Sequence, residues 1–138
     1  MPTQLNPYIH FKDNARQAME FYRSVFGGNL RMSTFKEFNA SDDPIEGDMI
    51  MHATLEADNG ITFMAADTPS FMEYNPGETI EMSLSGDNEA ELRSYFEKLS
   101  AGGTVAQPLE KAPWGDTFGM LTDQFGINWM VNIAGQQA

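Results

Sequence analysis

Three polar side chains of this chain could take part in acid–base or metal chemistry, and each falls in a predicted strand. The first is Glu81, which lies between Ile80 and Met82 in an alternating segment. If Glu81 is surrounded by methionine and phenylalanine, burial disfavours its charged form and the group becomes a candidate general acid or base. The alternative is a solvated or hydrogen-bonded glutamate at a strand edge.

The two histidines are the other candidates. His10 and His52 fall in separate predicted strands, and together with Glu81 they form the best available ligand set for a divalent metal. Each histidine also has a structural interpretation, His10 beneath a helix and His52 in a core or an interface. Cysteine is absent, which excludes disulfides, thiolate nucleophiles and cysteine-based metal sites.

Length and charge narrow the class of protein. The chain has 138 residues, of which 41% are hydrophobic, enough for one compact domain with a core. Its net charge of −12 repels phosphate backbones and anionic lipid, and lysine and arginine occur singly. No apolar run could span a bilayer, and Met1–His10 has no signal-peptide pattern. We therefore expect a cytoplasmic protein that binds neither nucleic acid nor membrane.

The elements that would position these residues occur twice. A helical stretch opens at Asp-Asn, reaches an aromatic pair and closes at Gly-Gly in each half of the chain. The first two landmarks are 74 residues apart in the two copies and the last is 75 apart. The segments 58–64 and 124–130 correspond at an offset of 66. The chain is therefore one small module used twice, and we expect a ligand site between the copies.

Each copy reads as a strand, a helix and three further strands. The helices are predicted at 14–26, capped by Asp13 or Asn14, and at 88–101. Alternation and turn signals predict strands at 5–12, 30–38, 48–57, 61–66, 79–85, 104–109, 118–122 and 127–133. A four-stranded sheet with one helix cannot cover both its faces. We predict an α+β fold, a single domain over 1–138, in which βαβββ modules at 1–67 and 78–138 form an eight-stranded, cupped mixed sheet.

This pattern resembles the vicinal oxygen chelate superfamily, which includes glyoxalases, extradiol dioxygenases and fosfomycin- and bleomycin-resistance proteins. The first helix carries the likeness, because it ends in Phe21-Tyr22 followed by Val25-Phe26-Gly27-Gly28. The segments 7–11, 51–53, 66–67, 114–119 and 122–126 more narrowly resemble the PhnB-like branch, over nearly the whole chain. An old methyltransferase label of that branch has no support here, since no glycine-rich nucleotide loop follows a strand.

The resemblance also implies where a metal would bind. Catalytic members hold a divalent ion with side chains from the first and last strand of each module, and the family's spacing maps these positions to Pro7, Met64, Glu81 and Met130. A single carboxylate is too few for a hard or borderline metal. We therefore expect no metal cofactor, with His10, His52 and Glu81 as the alternative set.

A small-molecule pocket is the expected use of the space. If Pro7 marks the inner face of the first strand, Ile9 and Phe11 share that face and His10 points away from it. The predicted pocket mixes apolar and polar side chains, which suits a small amphiphilic molecule: Ile9, Phe11, Met64, Glu81, Ser83, Trp114, Met130 and Asn132. The alternatives are that the methionines only fill space, and that Trp114 belongs to a rigid turn rather than a lid.

We accordingly predict a homodimer that binds an unidentified small amphiphilic molecule. Two other classes stay open on the sequence alone. One is an enzyme, either a metal-dependent lyase, isomerase or dioxygenase or a metal-free isomerase that uses Glu81. The other is a structural or regulatory dimer with a filled interior.

Overall fold

The computed structural model of the protein describes residues 5–38, 44–69, 74, 77 and 80–135. The chain divides into two compact units, Met1–Pro76 and Gly77–Ala138. No helix in the described ranges is both long and apolar enough to cross a membrane.

The first unit is a four-stranded mixed sheet with one long helix. Its strands lie in the order β1-β4-β3-β2, with β1 parallel to β4 and the other neighbours antiparallel. One-turn 3₁₀ segments at Lys36–Phe38 and Asp58–Gly60 precede and follow β3. The elements are β1 (Tyr8–Phe11), α1 (Ala15–Phe26), β2 (Asn29–Thr34), α2 (Pro44–Gly47), β3 (Ile50–Glu56) and β4 (Thr62–Asp67).

The second unit repeats this arrangement. Its strand order is β5-β8-β7-β6, again with the first pair parallel and the others antiparallel. The elements are β5 (Met82–Gly86), α3 (Glu89–Ser100), β6 (Thr104–Lys111), β7 (Thr117–Thr122) and β8 (Asn128–Ile133). The predicted α+β fold of two βαβββ modules is confirmed. Each set of four strands is hydrogen-bonded as its own sheet.

Helix α1 is held to its sheet by aromatic packing. Tyr22 and Phe26 lie one turn apart, and their rings meet Phe63 of β4 edge-on at 5.3 and 6.1 Å. The helix begins without the predicted Asp13 or Asn14 cap. Instead, the buried carboxylate of Asp67 accepts a hydrogen bond from the Ala15 backbone N–H at 2.9 Å. A residue of β4 therefore accepts a hydrogen bond from the backbone N–H at the start of the helix, which the residues just before the helix do not cap.

Helix α3 follows the sequence rules more closely. The Asn88 side chain accepts a hydrogen bond from the Glu91 N–H at 3.1 Å, which is N-capping as the residue type favours. The predicted apolar stripe is fully buried, as Leu92, Tyr95, Phe96 and Leu99. This stripe packs the helix onto the second sheet.

Each sheet therefore has a face toward its helix and a face away from it, which we call the helix-free face. Phe63 marks the helix side of the first sheet, so its neighbour Met64 lies on the helix-free face. In the second sheet, Trp129 is buried on the helix side, as predicted, and Met130 takes the opposite face. The candidate site residues divide between these two kinds of face.

Candidate functional site

The helix-free face of the first sheet brings together four polar and aromatic side chains, which we call the Tyr8 cluster: Tyr8, His10, His52 and Thr54. The Tyr8 hydroxyl lies 3.3 Å from His52 Nδ1, and His52 Nε2 lies 2.9 Å from Thr54 Oγ1. The Tyr8 ring is also 5.1 Å from the His10 ring and 5.8 Å from the His52 ring. Three groups capable of hydrogen bonding thus form a chain across β1 and β3.

Strand pairing explains why these residues meet. In β1 and β4, Tyr8 pairs with Met64 and His10 pairs with Ala66. In β3 and β4, Thr54 also pairs with Met64. Paired residues share a sheet face, and so do residues two positions apart in one strand. His10 and His52 therefore both lie on the helix-free face beside Tyr8.

The proton affinity of the Tyr8 hydroxyl is raised. Its side chain is 41% exposed, and partial burial raises the pKa of its hydroxyl above the ordinary value of 10.0. The hydroxyl therefore stays protonated across the physiological range, able to donate one hydrogen bond and accept others.

Two face assignments made from the sequence are wrong. Ile9 and Phe11 were expected to line the pocket, but their partners Ala65 and Asp67 place them on the helix side, and Phe11 is only 2% exposed. His10, expected beneath the helix, is exposed on the helix-free face beside Tyr8.

The cause is one extra residue between β1 and α1. Tyr8 and Ser83 both pair with the last-strand methionine of their unit and are 75 positions apart, whereas the helix-opening asparagines are 74 apart. The extra residue is accommodated at Asp13, whose φ of 68° is left-handed. Counting back from the helix therefore reached Pro7, one position away from the residue that pairs with Met64.

The second sheet agrees with the predicted faces. Ser83 and Met130 are cross-strand partners, as are Ser85 and Asn132, and all four lie on the helix-free face. Strand β7 adds two apolar side chains to this face, because Phe118 pairs with Asn132 and Met120 with Met130. We call the apolar row Phe118, Met120 and Met130 the methionine row. Its members are all half-buried.

Glu81 was considered as a buried acid or base and Trp114 as part of a lid, and the structure shows both residues exposed. Glu81 is exposed just before β5, so the carboxylate lacks the apolar surroundings that acid–base catalysis was expected to use. Trp114 is 65% exposed, and its ring lies 6.2 Å from the ring of Phe118, at the edge of the methionine row.

Asp116 explains why the Trp114 segment is a rigid turn. Its carboxylate accepts hydrogen bonds from Asn132 Nδ2 at 3.0 Å and from the Gly135 N–H at 2.8 Å. The hydrogen bond from Asn132, and to a lesser extent that from Gly135, lowers the pKa of Asp116 below its ordinary value. The backbone also closes across the turn, from Ala112 N–H to the Asp116 carbonyl at 2.7 Å. The turn is thereby tied to the end of β8.

The metal positions implied by the superfamily do not fit a hard or borderline ion. Of the four, Pro7 offers no side-chain donor, Met64 and Met130 offer thioethers, and only Glu81 offers oxygen. Among the described residues, no three histidine, aspartate or glutamate side chains are grouped so that they could hold a metal. Of the alternative set, His10 and His52 lie in the first unit and Glu81 lies in the second.

Two shallow depressions lie elsewhere on the first unit. One, of about 370 Å³, contains Arg31 and Glu56, which form an ion pair with each other. The other, of about 390 Å³, lies near the start of α1 and includes Asp67. Both Asp67 oxygens already accept backbone hydrogen bonds, from Ala15 and Ile50. Neither depression contains a residue of the predicted pocket.

Known proteins identify the family. Residues 3–132 match the family model described as 3-demethylubiquinone-9 3-methyltransferase. The chain belongs to this family. Protein PA1353 from Pseudomonas aeruginosa is similar in sequence and structure, with 35% identity, a TM-score of 0.81, and coverage of 98% of this chain and 100% of that one.

Two further solved structures are similar to this chain. A Bacillus cereus protein described as a putative 3-demethylubiquinone-9 3-methyltransferase, PhnB protein, is 26% identical with a TM-score of 0.76, covering 96% of this chain and 100% of that one. A glyoxylase/bleomycin resistance protein/dioxygenase domain from Frankia sp. EAN1pec has the same fold, with 15% identity, a TM-score of 0.66 and 99% coverage of both chains. The predicted likeness to the PhnB-like branch is confirmed, and the Frankia domain shares the glyoxalase-like fold that was predicted with it.

Sequence reasoning missed Tyr8 and Thr54 as site residues. The usable signal was the i, i+2 spacing of Tyr8 and His10, which puts both on one face of any regular strand. Thr54 has the same relation to His52. Those pairs needed no alignment to the helix start, which is where the one-residue error entered.

Proposed function

We propose that the protein binds a small amphiphilic molecule against the helix-free faces of its sheets, without a complete metal site. The observation that carries this proposal is the side-chain mixture on the second sheet. There the half-buried methionine row lies beside Ser83, Ser85 and Asn132. Flexible thioethers and an aromatic ring suit an apolar body, and hydroxyl and amide groups suit a polar end.

The first sheet supports the same function with different groups. Met64 lies beside Tyr8 and Thr54 on its helix-free face. Tyrosine and imidazole rings offer flat contact area as well as hydrogen bonds, a combination that small-molecule sites use for orientation.

The methyl-transfer activity in the family description is not part of the proposal. Methyl transfer from a nucleotide-type donor needs a site for that donor, and the sequence has no glycine-rich loop between a strand and a helix of the kind that cradles one.

A panel of amphiphilic metabolites, neutral and cationic, tests the proposal by thermal unfolding. A ligand at a hundred times its Kd stabilises the folded state by about 2.7 kcal/mol and raises Tm by several degrees. Met130→Gln should reduce the shift, because it places an amide in the methionine row. Val105→Thr, on the helix side of β6, should leave the shift unchanged. A panel that never moves Tm contradicts the proposal.

The second candidate is a metal-dependent lyase, isomerase or dioxygenase of the glyoxalase type. One observation favours it, the placement of His10 and His52 on the same face beside Tyr8. Protein purified without chelator should then contain stoichiometric divalent metal that is lost in His10→Gln and His52→Gln. Metal-free protein that also fails to bind added Zn²⁺, Mn²⁺ or Ni²⁺ rejects this candidate.

We also propose that the protein is a homodimer. Strand β6 is an edge of its sheet, and seven of its eight residues are exposed. Long exposed edges invite pairing or coverage by another chain. Sedimentation velocity should give twice the chain mass of 15.4 kDa, and a single species of that mass itself contradicts the dimer.

A further inference from the structure

We propose that the Tyr8 hydroxyl donates a hydrogen bond to a carbonyl oxygen of the bound molecule, and that His52 and Thr54 orient it to do so. This inference deepens the proposed function and rests on it. It assigns the chemical class of the ligand that the first sheet takes, a molecule that is not an anion and has a conjugated carbonyl group.

With a neutral imidazole, the hydrogen-bond chain can run in two directions. In one, Thr54 donates to His52 Nε2, His52 Nδ1–H donates to the Tyr8 oxygen, and the Tyr8 hydrogen is free to donate outward. In the other, Tyr8 donates to Nδ1 and His52 Nε2–H donates to Thr54. The two arrangements differ in which His52 nitrogen carries the proton, Nδ1 or Nε2. A ligand that only accepts a hydrogen bond from Tyr8 should therefore change the position of that proton, which can be measured.

A carbonyl oxygen selects the first direction because it can only accept. Water, which both donates and accepts, supports either. The distance of 3.3 Å between the Tyr8 oxygen and His52 Nδ1 is long for a hydroxyl hydrogen bond. This weak bond does little to prevent the Tyr8 hydroxyl hydrogen from turning toward a ligand. Since the side chain is 41% exposed, a ligand can reach it.

Charge and shape favour a flat ligand that is not an anion. The protein carries a net charge of −12, which disfavours approach of an anion such as a carboxylate. The His10 ring lies 5.1 Å from the Tyr8 ring at an angle of 33°, so two aromatic rings lie side by side on this face. A conjugated carbonyl compound can stack on such a surface while its oxygen meets Tyr8.

The test uses acetophenone as the probe and α-methylstyrene as its matched control. The control replaces the carbonyl oxygen with a methylene group and keeps the flat shape. Two-bond ¹H–¹⁵N spectra of the full chain, recorded at about pH 8, report which His52 nitrogen carries the proton. Acetophenone should increase the Nδ1–H form of His52, and α-methylstyrene should leave it unchanged.

Substitutions distinguish the role of Tyr8 as hydrogen-bond donor from the orienting role of Thr54. Tyr8→Phe should abolish the tautomer change and weaken acetophenone binding about fivefold, the effect of one net hydrogen bond. Thr54→Val should reduce the tautomer change, because Nε2 loses its donor. Thr62→Val, a half-buried threonine on the same face, should behave as the unchanged protein.

Three results overturn the inference: no tautomer change with acetophenone, an equal change with α-methylstyrene, or a change that persists in Tyr8→Phe. The comparison of the two compounds on the unchanged protein does not depend on any variant folding. If amphiphilic metabolites raise Tm while acetophenone leaves His52 unmoved, the proposed function stands and this inference falls. If neither measurement responds, both fall.

Discussion

Buried carboxylates show how single residues build this fold. Asp67 joins the start of α1 to the start of β3, through bonds of 2.9 Å to the Ala15 and Ile50 N–H groups. Asp123 organises the turn before β8 by accepting from Phe125 N–H at 2.8 Å, Ile127 N–H at 3.1 Å and Trp129 Nε1 at 2.9 Å. Both carboxylates are thereby committed to structure.

Asp123→Asn should destabilise the protein by about 1–3 kcal/mol, since one carboxylate oxygen becomes an amide NH₂ that faces a donor in a buried site. Urea unfolding measures the change. The control is Asp58→Asn in the corresponding turn of the first unit, where the side chain is exposed and little change is expected. Equal midpoints for Asp123→Asn and the unchanged protein contradict this role of Asp123.

Asp116 predicts a pH dependence. Hydrogen bonds from Asn132 and Gly135 lower its pKa in the folded state, so its contribution to stability is present above the unfolded value and is lost as pH falls through the folded value. The stability difference between the unchanged protein and Asp116→Asn should therefore shrink on acidification below the ordinary aspartate pKa of 3.8. Urea midpoints over a pH series measure it, and a difference independent of pH contradicts it.

At the residue scale, side-chain type predicted the core better than the site. The apolar stripe of α3 and the buried Trp129 follow from periodicity alone. The Tyr8 cluster was not predicted, because its members are assembled from β1 and β3 by sheet register. Register depends on the strand pairing and the length of a loop, and neither can be read from residue type.

The elements are held together by close approaches that glycine permits. Gly119 of β7 lies beneath α3, where an added Cβ would be 2.9 Å from Phe96 Cε2 and 3.1 Å from Leu109 Cδ2. In β5, a Cβ at Gly86 would meet Leu92 Cδ1 at an ordinary 3.7 Å. The distance between helix and sheet in the second unit is therefore set at Gly119.

Gly119→Ala should destabilise the protein by about 1–3 kcal/mol, the usual cost of overpacking. The matched variant, Gly86→Ala, has room for the methyl group and should cost much less. Thermal and urea unfolding compare the two, and a Gly119→Ala protein as stable as the Gly86→Ala protein contradicts the packing argument.

The joint between β1 and α1 contains the one left-handed non-glycine residue among the described positions, Asp13. Asp13→Gly should stabilise the protein by about 0.5 kcal/mol, because glycine adopts positive φ without the Cβ penalty. Lys12→Gly next to it should destabilise, since there glycine only adds freedom to the unfolded chain. If the two substitutions act in the same direction, the joint is not strained.

Most elements were predictable because their signals are local. The two long helices α1 and α3, their glycine stops and all eight strands overlap predicted segments. The short helix α2 was not predicted, β2 ends at Thr34 rather than at 38, and β5 begins at Met82, residue 79 lying outside the described part. The absent cap of α1 was not predictable from its own residues, because the group that replaces it, Asp67, comes from β4. The extra residue at Asp13 then shifted every position counted through that joint.

The whole molecule uses one module for two kinds of surface. Both sheets have the same strand order and pairing, yet the helix-free face of the first has the Tyr8 cluster and that of the second has the methionine row. Duplicated modules keep backbone geometry, while side chains on a face that packs against no helix are free to change. We infer that directional hydrogen bonding and adaptable apolar contact are divided between the units.

Methionine methyl spectra test the central claim, that ligand binds to the helix-free faces. With ¹³C-labelled methionine methyl groups, an amphiphilic ligand from the thermal panel should shift the signals of Met64, Met120 and Met130. The signal of Met19, fully buried on the sheet-facing side of α1, should stay in place. A bound ligand that leaves all three helix-free methionines unmoved, or that moves Met19 instead, contradicts the account.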